Sequence, residues 1–193
     1  MTVVTADDAE VHDVPVWMLG DHTVDDLEHT PDDGKRYEIF DGKMVMSPAP
    51  TRPHQRATRA IWRLLDRACP PDLEVWFAPV DFQPTRRRSY QPDVMVTRRA
   101  DPLPEKALQE PPVLAVEVVS RGSRKLDLEV KPQAYATSGI HLCWTFDPQK
   151  LHFVARRRQG VEYVTVAEAT GEDRIRLDQP YPVEICPAEI ING

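Results

Sequence analysis

Apolar residues alternate with polar ones, or form short continuous runs, in several segments that predict β-strands. The most apolar of these, residues 113–120, carries a single acidic residue, Glu117, near its centre. Further strands are predicted at residues 73–77, 80–83, 93–97 and 141–146. Residues 80–83 are expected to continue the strand before them or to pair with it. Residues 98–112 contain four prolines and predict a loop.

Three segments carry the signals of helices. Residues 53–68 have an apolar stripe at helical spacing and end before Pro70-Pro71. The stripe comprises Ala57, Ile61, Leu64, Leu65 and Ala68. Residues 124–137 have helical character and are followed by Gly139, a favourable residue just past a helix end. A short helix is predicted after Thr23, which acts as N-cap with Asp26 as its acidic partner.

Residues 37–46 predict a hairpin, because Asp41-Gly42 between two apolar runs favours a type I′ turn. From residue 151 onward, four short β-rich segments predict added hairpins near the C-terminus. They are residues 151–156, 161–166, 175–177 and 183–185. This order of elements predicts an α/β or α+β fold with a mixed central β-sheet flanked by helices. Residues 1–20 are interpreted as an extended acidic lead-in and residues 21–193 as one domain.

Composition is that of a globular chain, with 41% hydrophobic and 28% charged residues among 193. No apolar run approaches the roughly 18 residues of a membrane span, and a cytoplasmic location is expected. The net charge of −7 is uneven, because residues 1–50 hold 3 Lys/Arg against 12 Asp/Glu while the remainder hold 21 against 19. Overall acidity is therefore a weak argument against nucleic-acid binding. The three cysteines lack metal-ligand spacing and are interpreted as reduced thiols.

Glu117 and Asp93 are the first candidates for chemistry. An ionised Glu in an apolar strand costs several kcal/mol to desolvate unless another group compensates it. Asp93 precedes another apolar strand 24 residues earlier. Two acids on strands without accompanying Cys or His suggest a site for Mg²⁺ or Mn²⁺. The structural alternatives are a turn residue for Asp93 and a buried ion pair with an arginine for Glu117.

Three further residues are candidate members of this site. Lys131 would stabilise negative charge on a phosphate or orient a water molecule, although most helical lysines are simply solvated. Glu38 would add a carboxylate, unless it is a solvent-facing strand residue. His54, at the start of the arginine-rich helix, would contact a phosphate or water, unless it is ordinary polar surface.

Basic residues flank both acids along the chain and are candidates for nucleic-acid contact. Arg86, Arg87 and Arg88 form a basic turn shortly before Asp93, and Arg121 and Arg124 follow Glu117. A phosphodiester substrate needs such a positive surrounding. The arginines at positions 56, 59, 63 and 67 of the predicted helix are more simply interpreted as a solvated face.

These residues together resemble the bacterial "putative restriction endonuclease" domains of the PD-(D/E)XK nuclease superfamily, in the version common in actinobacteria. The resemblance covers residues 37–147. It rests on Tyr37-Glu38-x-x-Asp41-Gly42, Ser47-Pro48-x-Pro50, His54-Gln55, Gln91-Pro92-Asp93, Glu117-Val118-Val119-Ser120, Asp127-x-x-x-Lys131 and Tyr135-Ala136-x-x-Gly139-Ile140 leading to Trp144. Each motif is weak alone, but their order and spacing are specific.

The resemblance implies a restriction-endonuclease-like core in which Asp93 and Glu117 hold Mg²⁺ or Mn²⁺ and Glu38 is an accessory acid. The superfamily's usual lysine, two residues after the second acid, is replaced here by Val119, and the family takes its lysine from the next helix, at Lys131. The sequence departs from the family's pattern at two positions. Lys43 occupies a position where an acid is common, and Pro132 disfavours helical geometry at Lys131 unless a helix starts or kinks there.

Two functions from different classes follow. The first is a Mg²⁺-dependent DNA endonuclease with Asp93, Glu117, Lys131 and Glu38 as catalytic residues, for which a homodimer would suit paired cuts. The second is a catalytically inactive nuclease-fold module that acts by binding nucleic acid or protein. The two differ in whether the acids bind metal.

Overall fold

A computed structural model describes residues 16–18, 20–102 and 107–192 of the chain. These residues form two six-stranded sheets, one two-stranded sheet and three α-helices. The strands are β1 (Val16–Met18), β2 (Arg36–Phe40), β3 (Lys43–Ser47), β4 (Leu73–Phe77), β5 (Asp81–Thr85), β6 (Arg88–Tyr90), β7 (Val94–Arg98), β8 (Ala107–Leu108), β9 (Leu114–Val118), β10 (Leu142–Asp147), β11 (His152–Gln159), β12 (Glu162–Thr170), β13 (Ile175–Leu177) and β14 (Val183–Ile185). The helices are α1 (Arg52–Ala68), α2 (Lys131–Thr137) and α3 (Pro187–Asn192), with a 3₁₀ helix at Val24–His29 and a π-helical turn at Leu126–Val130.

The main sheet has the strand order β12-β11-β10-β9-β7-β4. Strands β9 and β10 are parallel, and the other neighbours are antiparallel. The parallel pair requires a crossover, which the π-helical turn and α2 supply. The mixed sheet flanked by helices confirms the predicted fold class.

Side chains of the main sheet alternate between two cores, as the pleat requires. On β9, Leu114, Val116 and Val118 face the core beneath α1 and α3. Ala115 faces the opposite core, which contains Tyr135 of α2 and residues of the second sheet. Glu117 has the same parity as Ala115, so its carboxylate lies on the side of α2. The alternation therefore determines which helix can reach this acid.

Helix α1 confirms the predicted amphipathic pattern. Ala57, Ile61 and Leu65 are buried against the main sheet, and Leu64 is partly buried. The prediction was wrong for Ala68, which is exposed because it is the last residue of the helix. The side chains of the arginine face are exposed, as expected for a solvated helix surface; they are Arg56, Arg59, Arg63 and Arg67. The Thr51 hydroxyl, before the first helical residue, accepts from the backbone amide of His54. This hydrogen bond holds the backbone of His54 at the start of α1.

The second sheet has the order β1-β3-β2-β6-β5-β8 and packs against the face that carries Ala115. Two predictions were wrong here. Residues 80–83 do not extend or pair with β4, because Phe82 packs against Tyr90 in the second sheet. The loop predicted at residues 98–112 includes the short strand β8.

The N-terminal strand β1 and the elements after β10 complete the fold. Strand β1 pairs with β3, and the rest of the predicted lead-in, apart from Gly20, lies outside the described residues. The predicted C-terminal hairpins form, since β11 pairs with β12 and β13 with β14. Helix α3 was not predicted. Within the described ranges, no helix is long and apolar enough to cross a membrane.

Replacing Gly42 with alanine is expected to destabilise the protein by about 1–2 kcal/mol, the cost of a left-handed conformation for a residue with a Cβ. Asp41 and Gly42 have φ values of +50° and +83°, which confirms the type I′ turn of the β2–β3 hairpin. A Cβ on Gly42 would also lie 2.5 Å from atoms of the Arg87 and Asp21 side chains. Urea unfolding of G42A and G34A separates the two effects, because Gly34 has φ +73° and no heavy atom within 4 Å of such a Cβ. Equal loss in both variants would show that the contacts at Gly42 contribute nothing.

Candidate active site

A cleft of about 540 Å³ opens at the end of the main sheet where β7 begins and β9 ends. Acidic, basic and hydroxyl side chains converge on its wall. They include Arg36, His54, Asp93, Glu117, Ser120, Arg121, Ser123, Asp127 and Lys131. The cleft therefore contains both strand acids singled out in the sequence.

Asp93 and Glu117 lie opposite each other across antiparallel strands. Val94 of β7 pairs with Val116 of β9, so one further step of the register brings Asp93 opposite Glu117. Directly opposed residues of an antiparallel pair point to the same face. The backbone amide of Val118, next to Glu117, donates to Asp93 Oδ2 over 2.8 Å. The two acids are therefore neighbours at the base of the cleft.

Both carboxylate oxygens of Asp93 accept hydrogen bonds. Oδ1 receives two from the Arg36 guanidinium, each of 3.0 Å. Oδ2 lies 3.1 Å from His54 Nε2, in addition to its bond from Val118. Burial alone would raise the pKa of Asp93, but the charges of Arg36 and His54 outweigh it and hold the pKa well below its usual range. Asp93 is therefore ionised at neutral pH.

Glu117 has the opposite electrostatic character. Lys131 Nζ donates to its Oε2 over 2.9 Å, and the Tyr135 hydroxyl donates to its Oε1. Burial raises the pKa of Glu117 to about 8; Lys131 opposes the rise, while Asp93 adds to it. A buried acid in a cleft whose pKa departs this far from its usual range is typical of a functional site.

Pro132 does not prevent Lys131 from reaching the site. Proline lacks an N–H and crowds the carbonyl four residues earlier, which a regular helix does not tolerate. Here the preceding turn is π-helical, and the Lys131 amide donates to the carbonyl of Leu126, five residues back. The regular helix α2 then starts at Lys131, so Pro132 lies in its first turn, where proline is tolerated.

Glu38 is buried beside Lys131 and is not a solvent-facing residue. Its Oε1 accepts from the backbone amide of Gln91 over 2.9 Å. Its Oε2 lies 3.2 Å from Lys131 Nζ, yet it accepts no directed hydrogen bond from the described residues. Lys131 thus contacts two carboxylates, and one buried acidic oxygen has unused acceptor capacity.

Three functional residues were missed as candidates by the sequence reasoning. Arg36 precedes Glu38 by two positions on β2 and therefore shares its face. Asp127 and Tyr135 lie four residues on either side of Lys131, on the same side of the helical segment. Asp127 Oδ2 accepts from the Ser120 amide over 3.1 Å and from the Ser123 hydroxyl. The spacing of Asp127, Lys131 and Tyr135 was the signal that could have identified them.

The candidate basic residues fall into two groups. Arg86, Arg87 and Arg88 form ion pairs with Asp25, Asp21 and Asp41, respectively. These three arginines do not line the cleft.

Arg121 and Arg124 lie closer to the acids. Arg121 lines the cleft and is exposed. Arg124 donates to Asp147 over 2.6 Å. Arg121 is therefore the candidate arginine best placed to meet a molecule in the cleft.

The donor set fits a hard divalent cation with few protein ligands. Mg²⁺ typically binds one or two carboxylates and keeps several waters. Asp93 and Glu117 supply two neighbouring carboxylates, and the second oxygen of Glu38 has spare acceptor capacity. Among the described residues, no group of three or more His, Cys, Asp or Glu side chains has the arrangement of a complete metal cage. A cation here would therefore rely on water for most of its coordination.

Comparison with known proteins shows the family to which the chain belongs. The family model of Uma2, described as "Putative restriction endonuclease", matches residues 24–188. A putative nuclease from Anabaena variabilis, belonging to DUF820, has a similar structure, with a TM-score of 0.68 at 14% identity, covering 88% of this chain and 97% of that one. No curated protein matches. Because the family model spans most of the sequence, the chain belongs to the Uma2 family of putative restriction endonucleases.

Proposed function

We propose that the protein is a divalent-metal-dependent endonuclease that hydrolyses phosphodiester bonds in DNA. The observation that carries the proposal is the pairing of Asp93 and Glu117 across β7 and β9, with Lys131 Nζ 2.9 Å from Glu117. Membership in a family described as putative restriction endonucleases supports the same class of reaction. The similar Anabaena protein is itself described as a "putative nuclease".

Each residue has a defined task in this proposal. Asp93 and Glu117 hold Mg²⁺ or Mn²⁺, which would polarise the phosphodiester and lower the pKa of a bound water. Lys131, already oriented by two carboxylates, places a positive charge where negative charge develops during attack on phosphorus. Glu38 fixes the position of the Lys131 amine. The exposed Arg121 meets the phosphate backbone at the cleft.

Cleavage of supercoiled plasmid DNA tests the function directly. We expect nicked and linear products with Mg²⁺ or Mn²⁺ and none with excess chelator. Denatured DNA and RNA in parallel reactions define the substrate class. Identical plasmid patterns with metal and with chelator would contradict the proposal.

Metal affinity is expected to rise with pH up to about 8 and then level off. Burial raises the pKa of Glu117 to about 8, so below that value a proton competes with the cation for the carboxylate. One competing proton gives about a tenfold change in Mn²⁺ affinity per pH unit. Calorimetric titration between pH 6 and 9 measures the slope. The E117Q variant is the control and should bind weakly with a flat profile; a flat profile in the wild type would contradict the prediction.

A binding module without catalysis is the second candidate. One observation favours it: Arg36, His54 and Lys131 already compensate the acidic side chains at the cleft. Such a module would bind DNA or protein equally well with and without metal. Absence of Mn²⁺ binding at millimolar concentration would favour this alternative.

A further inference from the structure

Arg36 is the cationic group that most directly obstructs metal binding at Asp93. It is the first residue of β2, and its side chain is 15% exposed at the wall of the cleft. Its Nη1 and Nη2 both donate to Asp93 Oδ1, and Nη1 also donates to the carbonyl oxygen of Gln91 over 3.2 Å. The guanidinium therefore occupies the oxygen that a cation bound to Asp93 would need.

The two oxygens of Asp93 differ in how easily they can be released. Oδ2 is held by a backbone amide, which cannot rotate away, and by His54, whose side chain is 11% exposed. Oδ1 has one side-chain partner, and that partner is a long residue that reaches the cleft. Displacing Arg36 therefore frees a complete carboxylate oxygen without changing the strand pairing.

We propose that Arg36 is an exchangeable counter-ion, which neutralises Asp93 in the resting site and transfers to the substrate phosphate when the divalent cation binds. The proposal rests on the proposed function. Guanidinium and a divalent cation on the same oxygen repel each other, so binding of the metal favours release of Arg36. The released guanidinium group can donate two parallel hydrogen bonds to the oxygens of a phosphate group. The same cation attracts this phosphate into the cleft.

Exchange of this kind couples metal binding to DNA binding. A phosphate that accepts Arg36 removes the competitor of the cation, so DNA should increase the affinity for metal, and metal should increase the affinity for DNA by the same factor. Without Arg36, the cation should bind more tightly on its own, and the coupling should fall to the part that direct attraction between cation and phosphate supplies. A purely structural Arg36 would produce neither change.

Calorimetric titration of Mn²⁺ into wild-type protein, R36M and R36Q tests the proposal. Without DNA, we expect both neutral variants to bind Mn²⁺ roughly fivefold to tenfold more tightly than wild type, within the usual range of coupling between sites. R36Q retains an amide donor for Asp93 and serves if R36M does not fold, which circular dichroism determines. R63M, which removes an exposed arginine on α1, controls for the change in net charge and should match the wild type.

A second titration adds a saturating short DNA duplex with phosphorothioate linkages, and the duplex alone provides the blank. On addition of DNA, the wild-type affinity for Mn²⁺ should rise by a factor about fivefold larger than the rise seen for R36Q, in which only direct attraction between cation and phosphate remains. Equal Mn²⁺ affinity of wild type and both variants without DNA would overturn the exchange while leaving the proposed function in place. Absence of Mn²⁺ binding in all proteins would overturn both.

Discussion

Replacing Asp93 with asparagine is expected to reduce DNA cleavage by on the order of 10³-fold, which corresponds to about 4 kcal/mol of transition-state free energy. Asparagine retains the shape and one oxygen but removes the negative charge that the proposed cation requires. It also leaves Arg36 and His54 without their shared anionic partner. Initial rates of plasmid nicking at saturating Mg²⁺ measure the effect.

The control for this variant is D81N. Asp81 is partly buried and accepts a hydrogen bond from the Gln91 side chain over 2.9 Å, but it does not line the cleft. Burial raises the pKa of Asp81, so loss of its charge should cost little. We expect D81N to cleave at a rate close to that of wild type. Comparable loss in both variants would mean that the effect arises from altered packing and not from metal binding.

A mild gain in thermal stability of D93N on addition of Mn²⁺ would also contradict the assigned role. A ligand stabilises the native state according to its affinity, so a protein without a competent site should show no concentration-dependent shift in melting temperature. Wild type should show such a shift, and D81N should follow it. This readout does not require DNA, and it separates metal binding from substrate binding.

The main sheet and α1 follow directly from the sequence, because their signals are local. Apolar runs five to seven residues long identify buried strands, and the stripe of Ala57, Ile61 and Leu65 identifies the buried helix face. The same parity that buries Val116 and Val118 places Glu117 on the other side of the sheet. The acid in the apolar strand was thus a sound indicator of a special environment.

The second sheet could not be derived in the same way. Strand β8 has two residues and β6 has three, which is too short for any periodicity to emerge. Their positions depend on partners distant in sequence, and β5 joins this sheet because Phe82 packs against Tyr90. Local pattern also cannot show that Arg86 and Arg87 pair with acids 61 and 66 residues away. The assignment of these arginines to nucleic-acid contact stays a prediction.

Sequence reasoning identified most of the charged side chains of the candidate site, including His54. It did not identify Arg36 or Asp127. Arg36 contacts Asp93 across 57 residues of sequence, and nothing near Arg36 in the chain indicates such a partner. The π-helical turn before Pro132 was likewise hidden, since a proline in a helical segment predicts an interruption but not its form. Both features depend on tertiary packing around a charge that had to be compensated.

Replacing Lys131 with methionine is expected to lower the free energy of unfolding by about 3–5 kcal/mol at pH 8.5, the range for breaking a buried ion pair on one side. Lys131 is 2% exposed and contacts both Glu117 and Glu38, which are each 1% exposed. Methionine fills similar volume without charge, so two buried carboxylates lose their shared cation. Urea unfolding monitored by tryptophan fluorescence measures the loss.

The loss of stability in K131M should be larger at high pH than at low pH. Burial raises the pKa of Glu117 to about 8, above its value in the unfolded chain, and Lys131 moderates that rise. A carboxyl group whose pKa is higher in the native state binds its proton more tightly there, so native stability falls as pH rises between the unfolded and native values. Without Lys131 the native pKa rises further, and this fall continues to higher pH. K131M should therefore lose less stability at pH 5.5 than at pH 8.5.

A double-mutant cycle identifies the origin of the loss. In K131M/E117Q the carboxylate that loses its cation is itself neutral, so the double variant should be more stable at pH 8.5 than K131M alone. K125M is the control. It removes an exposed lysine six residues before Lys131 and should be close to wild type in stability at both pH values. If K131M loses equal stability at pH 5.5 and 8.5, or if E117Q gives no recovery, the cost arises from packing of the lysine stem. Recovery by E117Q together with the pH dependence would mean that Lys131 lowers the pKa of Glu117 and so favours the carboxylate, the form in which it can accept a metal ion.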